Sequence, residues 1–511
     1  MYNFLTFSDS AKYADIARNM VNGLGYGSSF SFWSVSVFEY IKAKLFLTLS
    51  TPPVMPFSMA GFFKIFGLTD FAVIFTSSFY FILTLIFVFL LSKKIWKSNL
   101  VGSLSVLVIG LNKDLINYAV SGASESPFIF EIVAASYFAL IKRRWANFVT
   151  VLLLLLMYFT RPQAFIYIAG IILFWLLNNF NVKKAILYFV GVLFAGLLFD
   201  HFVLLRMEGK YFLYSVVSRG LHSSFNQTSV ASDALRGATG SVGWGTVQIV
   251  KNIFYNLYNF FKLVPNIISP YLFAVFTIGL FIKSKNKIES SFKTSSVFMI
   301  VLTLLVVAAS IPFFRYLHPV IPLIYIVAVG TMVEILKLQL SKRIFLVLGS
   351  CILVLIFGVG QTLGVLILDS RFERNTHNVG KPPVYIELSR VLKENTDVDD
   401  IIVTNLDTWG TWYGERKTVW FPLEPKQLID SSTEKIPFDA IYLTSYLIDD
   451  QNYYMGNNWR LIFNNPNDFS KWTCSGCSEI AKEFKLKGVY SIAATSNYER
   501  QDAKAILLVK K

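Results

Sequence analysis

Long apolar runs with almost no charge are the feature of this chain that most limits its fold. Four of them, residues 69–91, 185–205, 295–313 and 344–368, each approach the ~20 residues that a helix needs to cross ~30 Å of hydrocarbon. No soluble fold needs so many such runs. The composition agrees, because 54% of the residues are hydrophobic and only 15% are charged. Most of the chain is therefore predicted to lie in a lipid bilayer.

The predicted fold class is a polytopic α-helical membrane protein with about ten to twelve transmembrane helices and a C-terminal extracytoplasmic α/β domain. Several spans are short, and the two pairs that flank Glu125 and Arg161 are expected to be either tilted or half-buried hairpins inside the bundle. The ten spans with a clear hydropathy signal are 69–92, 100–119, 126–141, 146–160, 163–178, 185–205, 266–283, 294–313, 318–336 and 344–368.

Basic residues divide the loops between these spans into two sets, and Lys and Arg in short loops mark the cytoplasmic side of a membrane. In the short connections 120–125, 161–162 and 314–317, the only basic residues are Arg161 and Arg315. These connections and the long loop 206–262 are therefore predicted to face outward. The alternate loops hold fifteen basic residues: Lys93, Lys94, Lys97, Lys142, Arg143, Arg144, Lys183, Lys184, Lys283, Lys285, Lys287, Lys293, Lys337, Lys342 and Arg343.

The same parity places both ends of the chain outside. Residues 1–50 contain no strong span, so either the first strong span translocates this segment or a further helix precedes the sequence, and we favour the preceding helix. The apolar, proline-broken segment 53–67 is expected to be a membrane-surface helix or a half-span.

Hydropathy falls after Leu368, where apolar strand-like runs alternate with helical patterns. This predicts three parts: a first outer loop with amphipathic helices (1–68), a transmembrane domain including the outer loop 206–262 (69–369), and a soluble outer α/β domain with a mixed sheet (370–511). Cys474 and Cys477 form a lone CxxC, for which a local disulfide is favoured over a metal site.

Two acids lie on the predicted outer face. Asp9 stands just before an amphipathic helical pattern, so it either caps that helix or serves a site. Glu125 lies between two spans, where the run SGASESPF fits a helix start as well as a functional carboxylate. A third acid, Asp114, lies close to the same connection between spans. For Asp9 and Glu125, the pattern leaves both the capping role and the functional role open.

Arg161 and Arg315 are the only basic residues in otherwise apolar outer turns. An arginine there either extends its guanidinium to lipid headgroups or binds the phosphate of a lipid-linked substrate through its fork of donors. His222 lies in the outer loop 206–262, where it is a candidate phosphate ligand.

Five segments in order resemble the membrane glycosyltransferases of the GT-C type, in the branch of protein O-mannosyltransferases and aminoarabinose transferases. They are KYADIARNMVNGLGYG after Asp9, TPPVMPFSMAGFFKIFG, YAVSGASESPF, YFTRPQAF and FRYLHPVIPL, followed by an outer α/β domain. The resemblance covers nearly the whole chain. It is specific for the superfamily and uninformative about the substrate.

The resemblance implies a hexosyl or pentosyl glycosyltransferase that moves a sugar from a polyprenyl-phosphate donor to a protein, lipid or glycan acceptor, with inversion. It implies Asp9 and Glu125 as catalytic acids, and Arg161, Arg315 and Tyr316 near the donor phosphate. Asp114 and His222 are accessory candidates from their positions in the sequence alone. A divalent cation (Mg²⁺ or Mn²⁺) stays open, with Asp9 as its ligand if one binds. Ser10 stands where relatives often carry a second acid, so metal use is not carried over.

The main alternative is a transporter or lipid flippase for cell-envelope precursors, although the chain lacks the internal repeats common in that class. A scaffold of a cell-surface assembly is a third alternative. Nucleic acid is not an expected partner, because the excess basic charge lies in short loops between spans. The expected location is a prokaryotic plasma membrane.

Overall fold

A computed structural model of the chain describes residues 4–33, 37–41, 43–47, 51–161, 163–179, 182–199, 201–202, 246–309, 314–340, 342–359, 382–446, 455–494 and 502–511. Helices account for most of the described residues up to 359. These are α1 (Ser8–Val21), α2 (Val37–Tyr40), α3 (Val54–Phe66), α4 (Asp70–Trp96), α5 (Asn99–Gly110), α6 (Lys113–Ala119), α7 (Glu125–Phe138), α8 (Arg144–Tyr158), α9 (Ala164–Asn179), α10 (Val182–Phe199), α11 (Thr246–Ile267), α12 (Pro270–Phe281), α13 (Lys287–Ala309), α14 (Ile321–Gln339) and α15 (Arg343–Val354).

Three continuous helical segments are long and apolar enough to cross a membrane within the described ranges: Asp70–Trp96, Lys287–Ala309 and Phe314–Gln339. The last joins two short 3-10 turns to α14. A fourth span results if α5 and α6, which meet at a 71° bend, cross together. The predicted span 100–119 is therefore a broken helix.

Other apolar helices are too short to pass as spans by length alone, among them α8, α12 and the segment Ala164–Asn178. The 15 residues of α8 match the length of the predicted span 146–160. In contrast, α12 has only 12 residues where the sequence predicts the span 266–283, and this corrects that length. A short helix is tolerated at membrane depth where its ends are covered by protein, because no unpaired backbone group then meets lipid. The helices around Glu125 fit that condition, since nearly all of α7 is buried against its neighbours.

The C-terminal part contains a six-stranded mixed sheet. Its strand order is β2-β5-β4-β6-β8-β7, with β2, β5, β4 and β6 parallel and β8 and β7 antiparallel. The short strands β1 (Gly27–Ser28) and β3 (Phe46–Leu47) form a separate pair. The strands of the sheet are β2 (Phe30–Ser31), β4 (Ile401–Thr404), β5 (Lys417–Trp420), β6 (Ala440–Thr444), β7 (Phe484–Ile492) and β8 (Ala503–Lys510).

The predicted mixed sheet is confirmed, and each predicted strand-like run overlaps one of its C-terminal strands. The helical pattern after Pro382 forms α16 (Val384–Glu394), and three shorter helices follow: α17 (Trp409–Trp412), α18 (Asn457–Asn464) and α19 (Cys477–Glu483). A disulfide joins Cys474 and Cys477. The edge strand β2 comes from the N-terminal segment, which hydropathy alone did not connect with this sheet.

Alternate residues of the sheet pack into two different hydrophobic clusters, as the period of two along a strand requires. Ile402 and Tyr442 face α1, α3 and α16, whereas Val403 and Ile441 face α18 and the segment around Trp33. The C-terminal part is thus packed directly on the N-terminal helices.

Gly122 lies in the turn between α6 and α7 and has a φ of +73°, which side-chain-bearing residues rarely adopt. A Cβ there would lie 2.6 Å from Cγ1 of Val73 and 3.1 Å from Cβ of Ser10. We expect Gly122→Ala to lower stability by about 1–3 kcal/mol, since both the backbone and the packing oppose it. Thermal unfolding of the detergent-solubilised protein measures this.

Gly61→Ala is the matched control, because Gly61 lies within α3 with nothing within 4 Å of an added Cβ. Alanine in a helix is favoured over glycine, so this variant should melt at or slightly above the wild-type temperature. Equal melting of both variants would contradict the steric account.

Candidate active site

Glu125 is the first residue of α7, immediately after the turn that Gly122 makes possible. A carboxylate at a helix N-terminus is favoured by the helix dipole. The Glu125 side chain is only 2% exposed, and its Oε1 lies 2.5 Å from Nη1 of Arg161. This is a buried ion pair.

Arg161 follows the end of α8, where its backbone N–H donates to the carbonyl of Met157 at 3.2 Å. Its guanidinium also donates to the Ser124 hydroxyl at 3.3 Å and lies 5.5 Å from the ring centre of Tyr316. Three segments that are distant in sequence therefore meet at this point. They are the start of α7, the end of α8 and the turn Phe314–Tyr316 before α14.

Asp9 is the second residue of α1, and its carboxylate Oδ2 lies 2.9 Å from Nη1 of Arg315. The N-cap position of α1 is Phe7, which provides no side-chain cap. Arg315 belongs to a 3-10 turn, Phe314–Tyr316, that precedes α14. Of the two roles that the sequence left open, the structure gives the Asp9 carboxylate an ion pair instead of the N-cap.

The two ion pairs join into one chain of alternating charge. Nε of Arg315 lies 3.9 Å from Oε1 of Glu125, so the order is Asp9, Arg315, Glu125, Arg161. The ring of Tyr316 lies 5.5 Å from both guanidinium groups, a distance typical of cation–π contacts. The structure thus brings together five of the seven candidate site residues: Asp9, Glu125, Arg161, Arg315 and Tyr316.

Exposure differs along this chain of charges. The side chains of Glu125 and Arg161 are 2% and 6% exposed, whereas those of Asp9 and Arg315 are 44% and 30% exposed. Partial burial acts to raise the pKa of Asp9, but the neighbouring Arg315 guanidinium outweighs it and lowers that pKa below its ordinary value. Asp9 is therefore an ionised, accessible carboxylate at neutral pH.

Tyr13 and Ser124 also belong to this cluster, although the sequence did not single them out. The Tyr13 hydroxyl donates to Oγ of Ser124 at 3.4 Å, and Tyr13 follows Asp9 by one helical turn. Burial and the nearby Asp9 charge raise the pKa of Tyr13 to about 12, so it stays a neutral donor. The i,i+4 spacing on α1 was the available signal, but it was interpreted as an apolar face.

The accessory candidate Asp114 borders the cluster. Its Oδ2 lies 3.6 Å from Nε2 of His318, whose Nδ1 is hydrogen-bonded to the Tyr118 hydroxyl. His318 begins the short turn that follows the Phe314–Tyr316 turn, which places this group next to Arg315 and Tyr316 along the chain. The other accessory candidate, His222, lies outside the described residues.

The donors of the site fit an anion better than the acids fit a metal. Over the described ranges, Nε of Arg161 and Nε of Arg315 have no hydrogen-bond acceptor, although both atoms are buried. A phosphate is the group that such forked donors bind best. No cluster of three or more His, Cys, Asp or Glu side chains suited to a metal occurs within the same ranges.

The chain is similar to a known protein family and to solved structures. Residues 50–203, which include Glu125 and Arg161, match the sequence model of the dolichyl-phosphate-mannose-protein mannosyltransferase family. The fold matches the crystal structure of ArnT from Cupriavidus metallidurans bound to undecaprenyl phosphate, with a TM-score of 0.52 and 10% identity over 89% of this chain and 92% of that one. The apo structure of that protein gives a TM-score of 0.47 and 11% identity over 99% and 94%.

No curated protein matches the chain with significant sequence similarity. The family match and the first of these structures confirm the predicted resemblance to GT-C membrane glycosyltransferases. They also confirm the predicted fold class, a helical membrane protein with a C-terminal α/β domain.

The buried pair between Glu125 and Arg161 makes a prediction about stability. Glu125→Gln leaves the Arg161 guanidinium buried beside a neutral amide, and removal of one partner from a buried pair typically costs about 3–5 kcal/mol. We expect a large drop in melting temperature, measured in detergent.

Glu387→Gln is the matched control, because Glu387 pairs with an Arg390 side chain that is 58% exposed. An exposed pair contributes ~0–1 kcal/mol, so the control should melt close to wild type. The double variant Glu125→Gln/Arg161→Gln should recover part of the lost melting temperature, because it removes both charges. If it melts no higher than Glu125→Gln, the two side chains are not directly coupled.

Proposed function

We propose that this protein is a glycosyltransferase that moves a hexosyl or pentosyl group from a polyprenyl-phosphate donor to an acceptor on the outer face of the membrane. The observation that carries the proposal is the pair of guanidinium groups, with unaccepted Nε–H donors, next to an accessible carboxylate. The guanidinium groups can stabilise a leaving phosphate, and the carboxylate can accept the proton of the acceptor. The match of residues 50–203 to a family of mannosyltransferases supports this assignment.

The proposed reaction is a single displacement at the anomeric carbon. The acceptor's nucleophilic atom forms a bond to that carbon while the bond to the phosphate oxygen breaks, and its electron pair passes to the phosphate. Asp9 takes the acceptor's proton, and Arg161 and Arg315 stabilise the charge that develops on the leaving phosphate. One displacement inverts the anomeric centre.

Arg315 has two partners in this mechanism. Before the donor binds, it pairs with Asp9 and holds that carboxylate ionised. The donor phosphate then competes for the same guanidinium, which weakens the hold on Asp9 and makes the carboxylate a stronger base. Buried Glu125 keeps Arg161 in place throughout.

The outer location rests on the distribution of basic residues, because the candidate site lies on connections that are poor in Lys and Arg. We accordingly propose that residues 370–511 are extracytoplasmic and that the membrane is a prokaryotic plasma membrane. The acceptor is a protein, lipid or glycan. Any divalent cation would have Asp9 as a ligand.

Asp9→Asn tests the proposed base. Loss of a general base typically lowers the rate by about 10²–10⁴-fold, so transfer of labelled sugar should fall at least a hundredfold while the protein level is unchanged. The assay supplies membranes containing the protein with radiolabelled polyprenyl-phosphate sugars. Label is then measured in the protein, lipid and glycan fractions.

Asp399→Asn is the control, since Asp399 is exposed in the soluble part. It should transfer sugar at the wild-type rate. Full transfer by Asp9→Asn would remove Asp9 from the mechanism. Label that crosses the membrane without becoming covalently attached to any acceptor would support the transporter alternative.

The ion pair with Arg315 predicts a pH effect. Because Arg315 lowers the pKa of Asp9, the wild-type acid limb of kcat/KM should lie below the ordinary range for aspartate. In Arg315→Gln the effect of burial is opposed only by the smaller effects of Arg161 and Lys12, so that pKa rises and the acid limb moves to higher pH. The measurement is the pH profile of transfer.

Arg390→Gln is a suitable control, because Arg390 is exposed and lies on α16. Its acid limb should coincide with that of wild type. An unshifted limb in Arg315→Gln would show that Asp9 is not the group that titrates.

A further inference from the structure

The N-terminal segment that carries Asp9 is bound by the C-terminal part of the chain. The Thr408 hydroxyl donates to the carbonyl of Ser8 at 2.6 Å, directly before Asp9. The backbone N–H of Leu5 donates to the Tyr413 hydroxyl at 2.9 Å, and the Tyr385 hydroxyl donates to the Leu5 carbonyl. Both ends of the segment Leu5–Asp9 are thus held from the soluble side.

The same region of the C-terminal part also binds the start of the first long span. The Tyr413 hydroxyl donates to Oδ2 of Asp70 at 2.7 Å, and the Trp412 indole donates to Oδ1 at 2.7 Å. Burial and the Asp70 carboxylate raise the pKa of Tyr413, so its hydroxyl stays a donor. One hydroxyl therefore connects the C-terminal part, the N-terminal segment and α4.

Further along α1, Arg18 donates to two backbone carbonyls of α17. These are Thr411 at 2.8 Å and Trp412 at 3.1 Å. On its other side, α1 is attached to the membrane part, because the Ser10 hydroxyl donates to the Ser121 carbonyl at 2.5 Å. Asp9 lies between these two sets of contacts.

The loop that contains Thr408, whose hydroxyl binds Ser8, lies at the end of the sheet where open parallel sheets commonly place functional groups. It follows the carboxyl end of β4, which lies between its parallel neighbours β5 and β6. Asn405 bridges β4 to β6 there through two 2.8 Å hydrogen bonds with the Thr444 backbone. Open parallel sheets place functional groups at this edge, where successive connections leave in opposite directions.

We propose that the C-terminal domain is a working part of the catalytic centre, in which Tyr413 and Thr408 are positioning residues that set the location of Asp9. This inference rests on the proposed function, since it assigns the two hydroxyls to the base of that reaction. Neither residue is expected to touch the donor phosphate, whose proposed ligands lie on the membrane side. A displacement of about 1 Å in a reacting group can cost ~10²-fold in rate.

Tyr413→Phe and Thr408→Val test the inference, since each removes one hydroxyl and keeps the shape of the side chain. We expect kcat for transfer to fall about ten- to a hundredfold while KM for the polyprenyl-phosphate sugar stays unchanged. Simple destabilisation would lower the amount of active enzyme, so kcat is referred to folded protein, quantified by monodisperse elution in detergent.

Two variants in the same domain are matched controls. Tyr442→Phe removes a buried hydroxyl that donates to the Leu388 carbonyl of α16 and not to the segment Leu5–Asp9. Thr418→Val removes a buried hydroxyl that has no hydrogen-bond partner among the described residues. Both should keep the wild-type kcat per folded molecule.

Asp9→Asn in the same assay separates the two proposals. If Asp9→Asn is inactive and both test variants keep the wild-type kcat, the positioning role is wrong and the proposed function stands. If Asp9→Asn is fully active, both proposals are wrong. A selective loss of kcat in Tyr413→Phe and Thr408→Val, with active controls, supports the inference.

Discussion

The site depends on the neutralisation of two buried or half-buried guanidinium groups. Arg161 and Arg315 lie close enough to face the same Tyr316 ring, and two like charges at that distance repel each other in a medium of low polarity. Glu125 lies between them and Asp9 lies at the outer end, so opposite charges alternate. Each acid therefore neutralises an arginine, which stabilises the structure independently of any catalytic role. The two acids and two arginines together carry no net charge.

The two pairs differ in what they allow. The side chains of Glu125 and Arg161 are almost inaccessible to solvent. If either one left the other for a new partner, the remaining buried charge would be uncompensated. The pair of Asp9 and Arg315 is partly exposed, so an incoming phosphate can replace the carboxylate as the partner of Arg315. A fixed inner pair and an exchangeable outer pair together provide what a displacement reaction needs: a rigid anion site and a base that is released when the anion arrives.

Much of this arrangement could be predicted from the sequence, because it depends on local patterns. Apolar runs located the helices, alternation located the strands β4 to β8, and isolated charges beside apolar segments indicated Asp9, Glu125, Arg161 and Arg315. The short length of α12 could not be predicted from hydropathy, because the apolar run continues beyond both ends of the helix. Nor could the strand β2, because a two-residue strand has no period and its parallel partner β5 is distant in sequence.

The contacts of α1 follow from the same limit. A helical pattern predicts which face of α1 is apolar, but that face serves three surfaces, formed by α3, the turn at Gly122 and the C-terminal helix α17. Asp15 is fully buried among these surfaces and accepts hydrogen bonds from Arg18, the Ser28 hydroxyl and the Ser29 backbone. Such an acid costs free energy unless all its partners are in place. The helix that carries Asp9 is thus fixed within the N-terminal segment by Asp15, and it is held from outside by the Ser121 carbonyl and by the carbonyls of α17, so the position of the candidate base depends on both parts of the chain.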